Sequence, residues 1–422
     1  MLLSTAALGQ DLGSSNKLFG AAKTTPKPKT TATKTPAKRK LAPKPKATAR
    51  KTTPPKTTRS KPATAKKETA PKTAPAKTET PSLTGAAAEE RFEELIENGN
   101  AARDDRNYGA AEAAYRQARS VKPADARAVY GLGNVYSDQQ RWDEAETAYR
   151  SALQMDANDA LPYIALSYVL TQPISAADLG DRYEEAEKLA RRAITLSPRN
   201  PLAYDQLGVA LEFRGLISAE TENAYRKAIQ LDATFAPVYA HLGRLLRRRG
   251  LKKESDAAYA EAIVRSTDVA TMILVAEVMQ SEQRYKESAI LLLQAVSADP
   301  KNHAGLLLLG RAQSALGQFN EAESTLKKSL AIGTNAFMAH SLLGSLYARQ
   351  GKFELAENAL LQASRSVPAY ERRRLSRLFE VVGDGYLKTG KARNAERCYQ
   401  QAMSLDAETE PLKLKLAQAR AA

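Results

Sequence analysis

A period of about 34 residues runs through most of this chain and constrains its fold more than any other feature. From Phe92 to Ala407 a small residue recurs at the same place in each unit, usually directly after a leucine. It falls at Gly99, Gly133, Ser167, Gly208, Gly243, Ala276, Gly310, Gly344 and Gly383. A period of this length predicts an array of stacked supersecondary units, because no single unit can bury its apolar face alone.

Each of the nine units carries the pattern of two amphipathic helices joined by a turn. In the first helix of the second unit, the core positions at i, i+3, i+4 and i+7 are Val129, Leu132, Gly133 and Tyr136. The second helix repeats a small, a large and a small residue, as in Ala145, Tyr149 and Ala152. Glycine often marks the turn between them, at Gly250, Gly317, Gly351 and Gly390. The units start near residues 92, 126, 160, 201, 236, 269, 303, 337 and 376.

These residues resemble the tetratricopeptide repeat (TPR), whose 34-residue pattern has the same small, aromatic and alanine positions. The likeness covers about three quarters of the chain, and its departures are modest, such as Leu166-Ser167 and Val275-Ala276. The resemblance implies an all-α fold, a right-handed α-solenoid of stacked antiparallel helix pairs over residues 89–407. We expect residues 408–422 to form a helix that caps the last repeat.

The basic charge of the chain is confined to its N-terminal part. Residues 1–88 hold 19 Lys or Arg against three acidic residues, whereas residues 89–422 hold 44 of each sign. Lys, Thr, Pro and Ala make up almost all of residues 21–88, and this composition is typical of a disordered tail. The predicted repeat array is therefore neutral, and a basic isoelectric point describes only the tail.

The first 20 residues carry a weak targeting pattern. The segment MLLSTAALGQ resembles the end of a secretory signal peptide, with small residues before Gln10 but no basic opening. We expect either the remnant of a signal peptide, whose start lies upstream of Met1, or a frayed terminus. Export to the periplasm or cell exterior is favoured in the first case and a cytoplasmic location in the second. No stretch of the sequence reaches the apolar length of a transmembrane helix.

The sequence offers no constellation for catalysis or for a cofactor. Its three histidines, His241, His303 and His340, fall in three different units, and Cys398 is its only cysteine. The glycine pairs Gly131/Gly133 and Gly383/Gly385 belong to the repeat pattern inside predicted helices, so they do not indicate a nucleotide loop. We therefore predict no enzyme activity, no metal site and no cofactor.

The resemblance implies that successive first helices line a concave groove that binds a protein or peptide. The residues predicted to face this groove are Tyr130, Asn134, Tyr168, Phe213, Arg244, Arg247, Arg248 and Arg311. Aromatic residues followed by an arginine cluster favour an extended ligand with hydrophobic anchors and an acidic stretch. A second interpretation of Arg247 to Arg249 stays open, in which they form a solvated helix end that suits the helix dipole.

Two functions from different classes follow from these patterns. The first is a non-enzymatic scaffold that binds a partner protein in the groove, with the tail as a tether. The second is a polyanion or nucleic-acid binder that uses residues 21–88 without sequence specificity. Those residues lack aromatic side chains for base stacking, so such binding would depend strongly on salt.

Overall fold

The computed structural model describes residues 85–172, 179–333, 336–406 and 409–422. Within those ranges the chain forms nineteen α-helices, one short 3-10 helix (Ala369–Glu371) and no β-strand. The first helix of each unit is, in chain order, α1 Ala86–Asp104, α3 Ala126–Asp138, α5 Ala160–Leu170, α7 Pro201–Phe213, α9 Ala236–Arg248, α11 Val269–Ser281, α13 His303–Ala315, α15 Ala336–Arg349 and α17 Arg372–Lys388. The second helices are α2 Tyr108–Val121, α4 Trp142–Met155, α6 Leu179–Leu196, α8 Ala219–Leu231, α10 Lys252–Arg265, α12 Tyr285–Ala298, α14 Phe319–Ile332, α16 Phe353–Ser364 and α18 Ala392–Leu405.

The helices stack in the order of the chain. In every unit the two helices pack against each other, and the second helix also packs against the first helix of the next unit. The first helices of successive units contact one another as well, so they form a continuous layer. The side of this layer that is turned away from the second helices is called the first-helix face. The prediction of an α-solenoid built from stacked helix pairs is confirmed.

The recurring glycine has a steric cause. A Cβ atom on Gly133 would lie 2.5 Å from Cε1 of Tyr149, and one on Gly208 would lie 2.3 Å from Cε1 of Tyr225. Both tyrosines are fully buried. The ring of a second helix therefore occupies the space that a side chain would need on the adjoining first helix. Close packing of this kind leaves little room for a larger residue, which explains why the position stays small through the array.

Side-chain caps fix where many of the first helices begin. Five of them are preceded by an Asp or Asn whose side-chain oxygen accepts a backbone N–H of the first turn. These residues are Asp125, Asp159, Asn200, Asp268 and Asn302. Such caps satisfy N–H groups that have no partner inside the helix.

A final helix, α19 (Glu410–Ala421), packs against α18 after the ninth unit. Its inner side buries Leu412, Leu416 and Ala419, whereas Leu414 on the other side is 62% exposed. The last helix pair thus has an apolar cover of its own, as repeat arrays need at their ends.

The predictions for residues 1–84 lie outside the described residues. They include the signal-peptide remnant and nearly all of the basic tail. Helix α1 begins at Ala86, inside the last four residues that we assigned to the tail.

Candidate functional site on the first-helix face

Tyr130 and Asn134, two of the predicted groove residues, lie inside the array. Tyr130 is 2% exposed and Asn134 is 0% exposed. The Tyr149 ring fills the space above Gly133, and its hydroxyl donates a hydrogen bond of 2.8 Å to Oδ1 of Asn134. The Tyr130 ring lies 5.8 Å from that of Tyr149. The expectation that both residues are exposed is thereby corrected, because a buried hydroxyl needs an acceptor and Asn134 supplies it.

A buried ion pair lies next to this hydrogen bond, and the sequence analysis did not identify it. Nε of Arg103 in α1 donates to Oδ2 of Asp138 in α3 over 2.9 Å, and both side chains are almost fully buried. Burial would lower the pKa of Arg103, but the Asp138 carboxylate and the nearby tyrosine hydroxyls raise it. The spacing of 35 residues between opposite charges is close to the period and was the signal that could have revealed the pair.

Tyr168 and Phe213 are half-buried on the same face. The Tyr168 ring meets Trp142 edge to face, with 6.3 Å between the ring centroids, and the Phe213 ring lies 5.2 Å from that of Tyr183. Burial raises the pKa of Tyr168, and the charges of Glu277 and Asp138 raise it further. Each ring thus packs against a second helix while keeping part of its surface accessible.

Arg244 is tied into the array instead of projecting from it. Its side chain is 9% exposed, and its guanidinium contacts the carboxylate of Glu212 at 2.6 Å from Nη2 to Oε2. Tyr225 donates a hydrogen bond of 2.5 Å to the same carboxylate. Burial would raise the pKa of Glu212, but the charge of Arg244 and the hydrogen bonds of Arg244 and Tyr225 lower it below its usual value. The prediction that Arg244 is free for a ligand is therefore corrected: it neutralises a buried acid from the preceding unit.

Arg247 and Arg248 are the accessible members of the arginine cluster. Arg248 lies 3.5 Å from Glu212 and 3.3 Å from Glu282, so it links three successive units. Arg247 is 42% exposed, and its only ion pair among the described residues is a long one of 3.8 Å to Glu282. Three arginines thus share two carboxylates, which leaves one positive charge in excess. The alternative of a purely solvated helix end does not describe this cluster, because Arg248 is held by two acids.

Arg311 repeats the arrangement of Arg244 two units further on. Its Nε donates to Oε1 of Gln280 in the preceding unit, and Gln280 in turn donates 2.9 Å bonds to the Leu308 carbonyl and to Ser288. Burial lowers the pKa of Arg311 to about 10, against the opposing charge of Glu277. Burial likewise raises the pKa of Glu277 to about 7, although Arg311 acts in the other direction.

Among the residues that the structure describes, no three His, Cys, Asp or Glu side chains lie close enough together to hold a metal ion. Nor is any described helix both long and apolar enough to cross a membrane.

Comparisons with known proteins identify the repeat in two stretches of the chain. Two models of the tetratricopeptide repeat family match, over residues 96–160 and 280–346. The chain therefore contains tetratricopeptide repeats. No curated protein sequence matches it significantly.

Several solved structures resemble parts of this chain at low sequence identity. PilF of Pseudomonas aeruginosa is 20% identical, with 50% of this chain and 94% of that chain covered and a TM-score of 0.38. A thermophilic TPR protein of Thermus thermophilus is 18% identical, with 46% and 100% covered and a TM-score of 0.39. Human IFIT1, solved as a dimer with m7Gppp-AAAA, is 14% identical, with 77% and 80% covered and a TM-score of 0.47.

Proposed function

We propose that this TPR protein is a non-enzymatic scaffold that binds a segment of a partner protein on the first-helix face between units four and seven. The TPR fold in general supports protein–protein interaction. What supports this particular stretch is the excess of arginine over carboxylate at Arg244, Arg247 and Arg248, beside the accessible part of Phe213. A ligand that offers an apolar side chain and a carboxylate fits both features.

Arg247 is the residue that we expect to contact the partner most directly. Its guanidinium is only weakly held, since 3.8 Å to Glu282 is longer than a charge-assisted hydrogen bond. A carboxylate of the partner could replace that contact at little cost. Arg244 keeps its bond to Glu212 in this proposal and serves to hold α7 and α9 in register.

The test compares two charge-reversed variants of the full-length protein. The first carries Arg247→Glu and Arg248→Glu on the first-helix face. The second carries Arg119→Glu and Arg192→Glu, which lie exposed on the second helices α2 and α6 and have no ion pair within the described ranges. Partners captured from extracts of the source cells are quantified by mass spectrometry, and a thermal melt checks that both variants fold.

The proposal predicts that specific partners are lost, by about tenfold or more, from the first variant and retained by the second. A captured set that is the same for the wild type and both variants contradicts binding at this stretch. Equal losses in both variants would instead indicate a general effect of net charge, and they contradict the proposal as well.

A further inference from the structure

The turns inside units one and two are covered, whereas the same turn is open to solvent in later units. Each turn that the structure describes between the two helices of a unit has a residue with positive φ. That residue is exposed in units four to nine, where it is Gly215, Gly250, Gln283, Gly317, Gly351 or Gly390. In unit one it is the half-buried Arg106, and in unit two it is Gln140, which is 7% exposed. Other parts of the chain therefore cover the first two turns.

The turn of unit one contacts the end of unit six. Nη1 of Arg106 pairs with Oδ2 of Asp299 over 2.8 Å, although 193 residues separate them. Asp299 directly follows α12, the second helix of unit six. Both side chains keep about a third or less of their surface exposed, at 26% for Arg106 and 31% for Asp299. This ion pair joins two units that are not neighbours in the array.

The turn of unit two contacts the segment between units eight and nine. That segment contains the short 3-10 helix Ala369–Glu371. The half-buried Tyr370 packs against the apolar cluster of units two to four, which includes Trp142. The Tyr370 hydroxyl lies 3.5 Å from Oε1 of Gln140, 230 residues away in the sequence. A second contact therefore joins the beginning of the array to its later units.

These two contacts, which we call the clasp, differ from the rest of the packing. A repeat array is held together mainly by interfaces between neighbouring units, and the clasp adds to them without being part of any. An ion pair between partly exposed side chains stabilises a fold only slightly. Only one ion pair and one tyrosine make up the clasp, so it can break while every helix pair stays packed.

We propose that the clasp is a conformational switch, which holds units one and two against units six to nine and opens without unfolding the array. The first-helix face lies close to this movement. The charge of Glu277 in unit six raises the pKa of Tyr168 in unit three, so these two parts of the face are near each other when the clasp is closed. Opening the clasp would separate them and widen the approach to the face. The switch needs no partner, so it can hold or fail independently of the binding proposed above.

The test measures the distance between spin labels on the full-length protein at low salt, by double electron–electron resonance. The labels are attached at Ala110→Cys and Ala298→Cys, two exposed positions that lie four residues from Arg106 and one from Asp299. The native Cys398 is buried and should not compete for the label. The closed clasp predicts a single short distance.

Breaking both contacts should open the array. Arg106→Glu with Tyr370→Ala should lengthen the distance by roughly 10 Å or more, the diameter of one helix. Adding Asp299→Arg to this variant restores an ion pair with reversed charges and should move the distance back toward the wild-type value. A thermal melt should show that both variants keep most of the wild-type melting temperature, because the interfaces between neighbouring units are unchanged.

Gln283→Glu provides the control, since Gln283 is an exposed turn residue with the same positive φ. It places a carboxylate at an uncovered turn and should leave the distance as in the wild type. A long distance in the wild type would overturn the proposal, as would an unchanged distance after both contacts are broken. Failure of Asp299→Arg to shorten the distance, or an equal lengthening in the control, would also contradict the clasp.

Discussion

The first-helix face has two contrasting halves. In units one and two its polar residues lie inside the array, where Tyr149 donates to Asn134 and Arg103 pairs with Asp138. In units four to six, a chain of contacts between charged side chains runs from the interior to the surface. That chain begins at the buried Glu212 and ends at the 42% exposed Arg247. Polar residues at equivalent repeat positions are thus buried in one half and reach the surface in the other.

The difference arises from what the surrounding helices offer at each position. Asn134, Arg244 and Arg311 all directly follow the small residue of their units. Asn134 meets a tyrosine hydroxyl, Arg244 meets a carboxylate, and Arg311 meets an amide. The side chain at this position is therefore held by a partner on another helix, 15 to 32 residues away, and its setting depends on that partner as well as on its own type.

The largest expected effect comes from Glu212→Gln, which removes the acid at the buried end of the charged half. Arg244 would remain buried without a carboxylate, so the free energy of unfolding should fall by about 3 kcal/mol or more. Urea denaturation of the full-length protein measures this loss. The control is Glu220→Gln, whose partner Arg191 is exposed, and it should cost less than about 1 kcal/mol. Similar losses in the two variants would show that burial does not distinguish these pairs.

The neutral hydrogen bond in units one and two should matter less, and Tyr149→Phe tests it. This substitution leaves Asn134 buried without its hydroxyl donor and should cost about 1–3 kcal/mol by the same urea measurement. Tyr163→Phe is a matched control, because the Tyr163 hydroxyl bonds to the Ala157 carbonyl near the surface. A loss in Tyr149→Phe no larger than in the control would contradict a structural role for Asn134.

Glu277 provides a pH-dependent test at the border of the charged half. Burial raises its pKa to about 7 from 4.5, so the folded chain binds more protons than the unfolded chain between these values. Its contribution to stability is therefore greatest at low pH and is lost as the pH rises through 7. Glu277→Gln should raise the melting temperature by about a few degrees at pH 8 and leave it unchanged at pH 4. The same shift at both pH values would contradict a raised pKa.

The smallest effect is expected at the accessible end of the chain of contacts. Arg248→Gln should change the free energy of unfolding by less than about 1 kcal/mol, since the side chain is partly exposed and Glu212 keeps Arg244. A loss as large as that of Glu212→Gln would mean that Arg248 is structural. The distinction between recognition and packing residues in this half would then fail.

The sequence predicted the fold because the period, the small residues and the turn glycines are local patterns. It predicted the chemical types of the face residues but not their burial. Arg244 is held inside the array by Glu212, and Asn134 by Tyr149. In both cases the partner lies on a different helix, so the apolar pattern of the residue's own helix does not show it. Charge complementarity at a spacing of 32 to 35 residues was the available signal for the buried ion pairs.

Cysteine labelling tests most directly whether the two halves differ in accessibility. The only native cysteine, Cys398, is buried, and burial raises the pKa of its thiol to about 12, so its background reaction with maleimide should be slow. Single Tyr130→Cys, Phe213→Cys and Arg247→Cys variants of the folded protein are compared for their labelling rates. We expect Arg247→Cys to react fastest, Phe213→Cys more slowly and Tyr130→Cys slowest of all. Equal rates at positions 130 and 247 would contradict the division of the first-helix face into a buried and an accessible half.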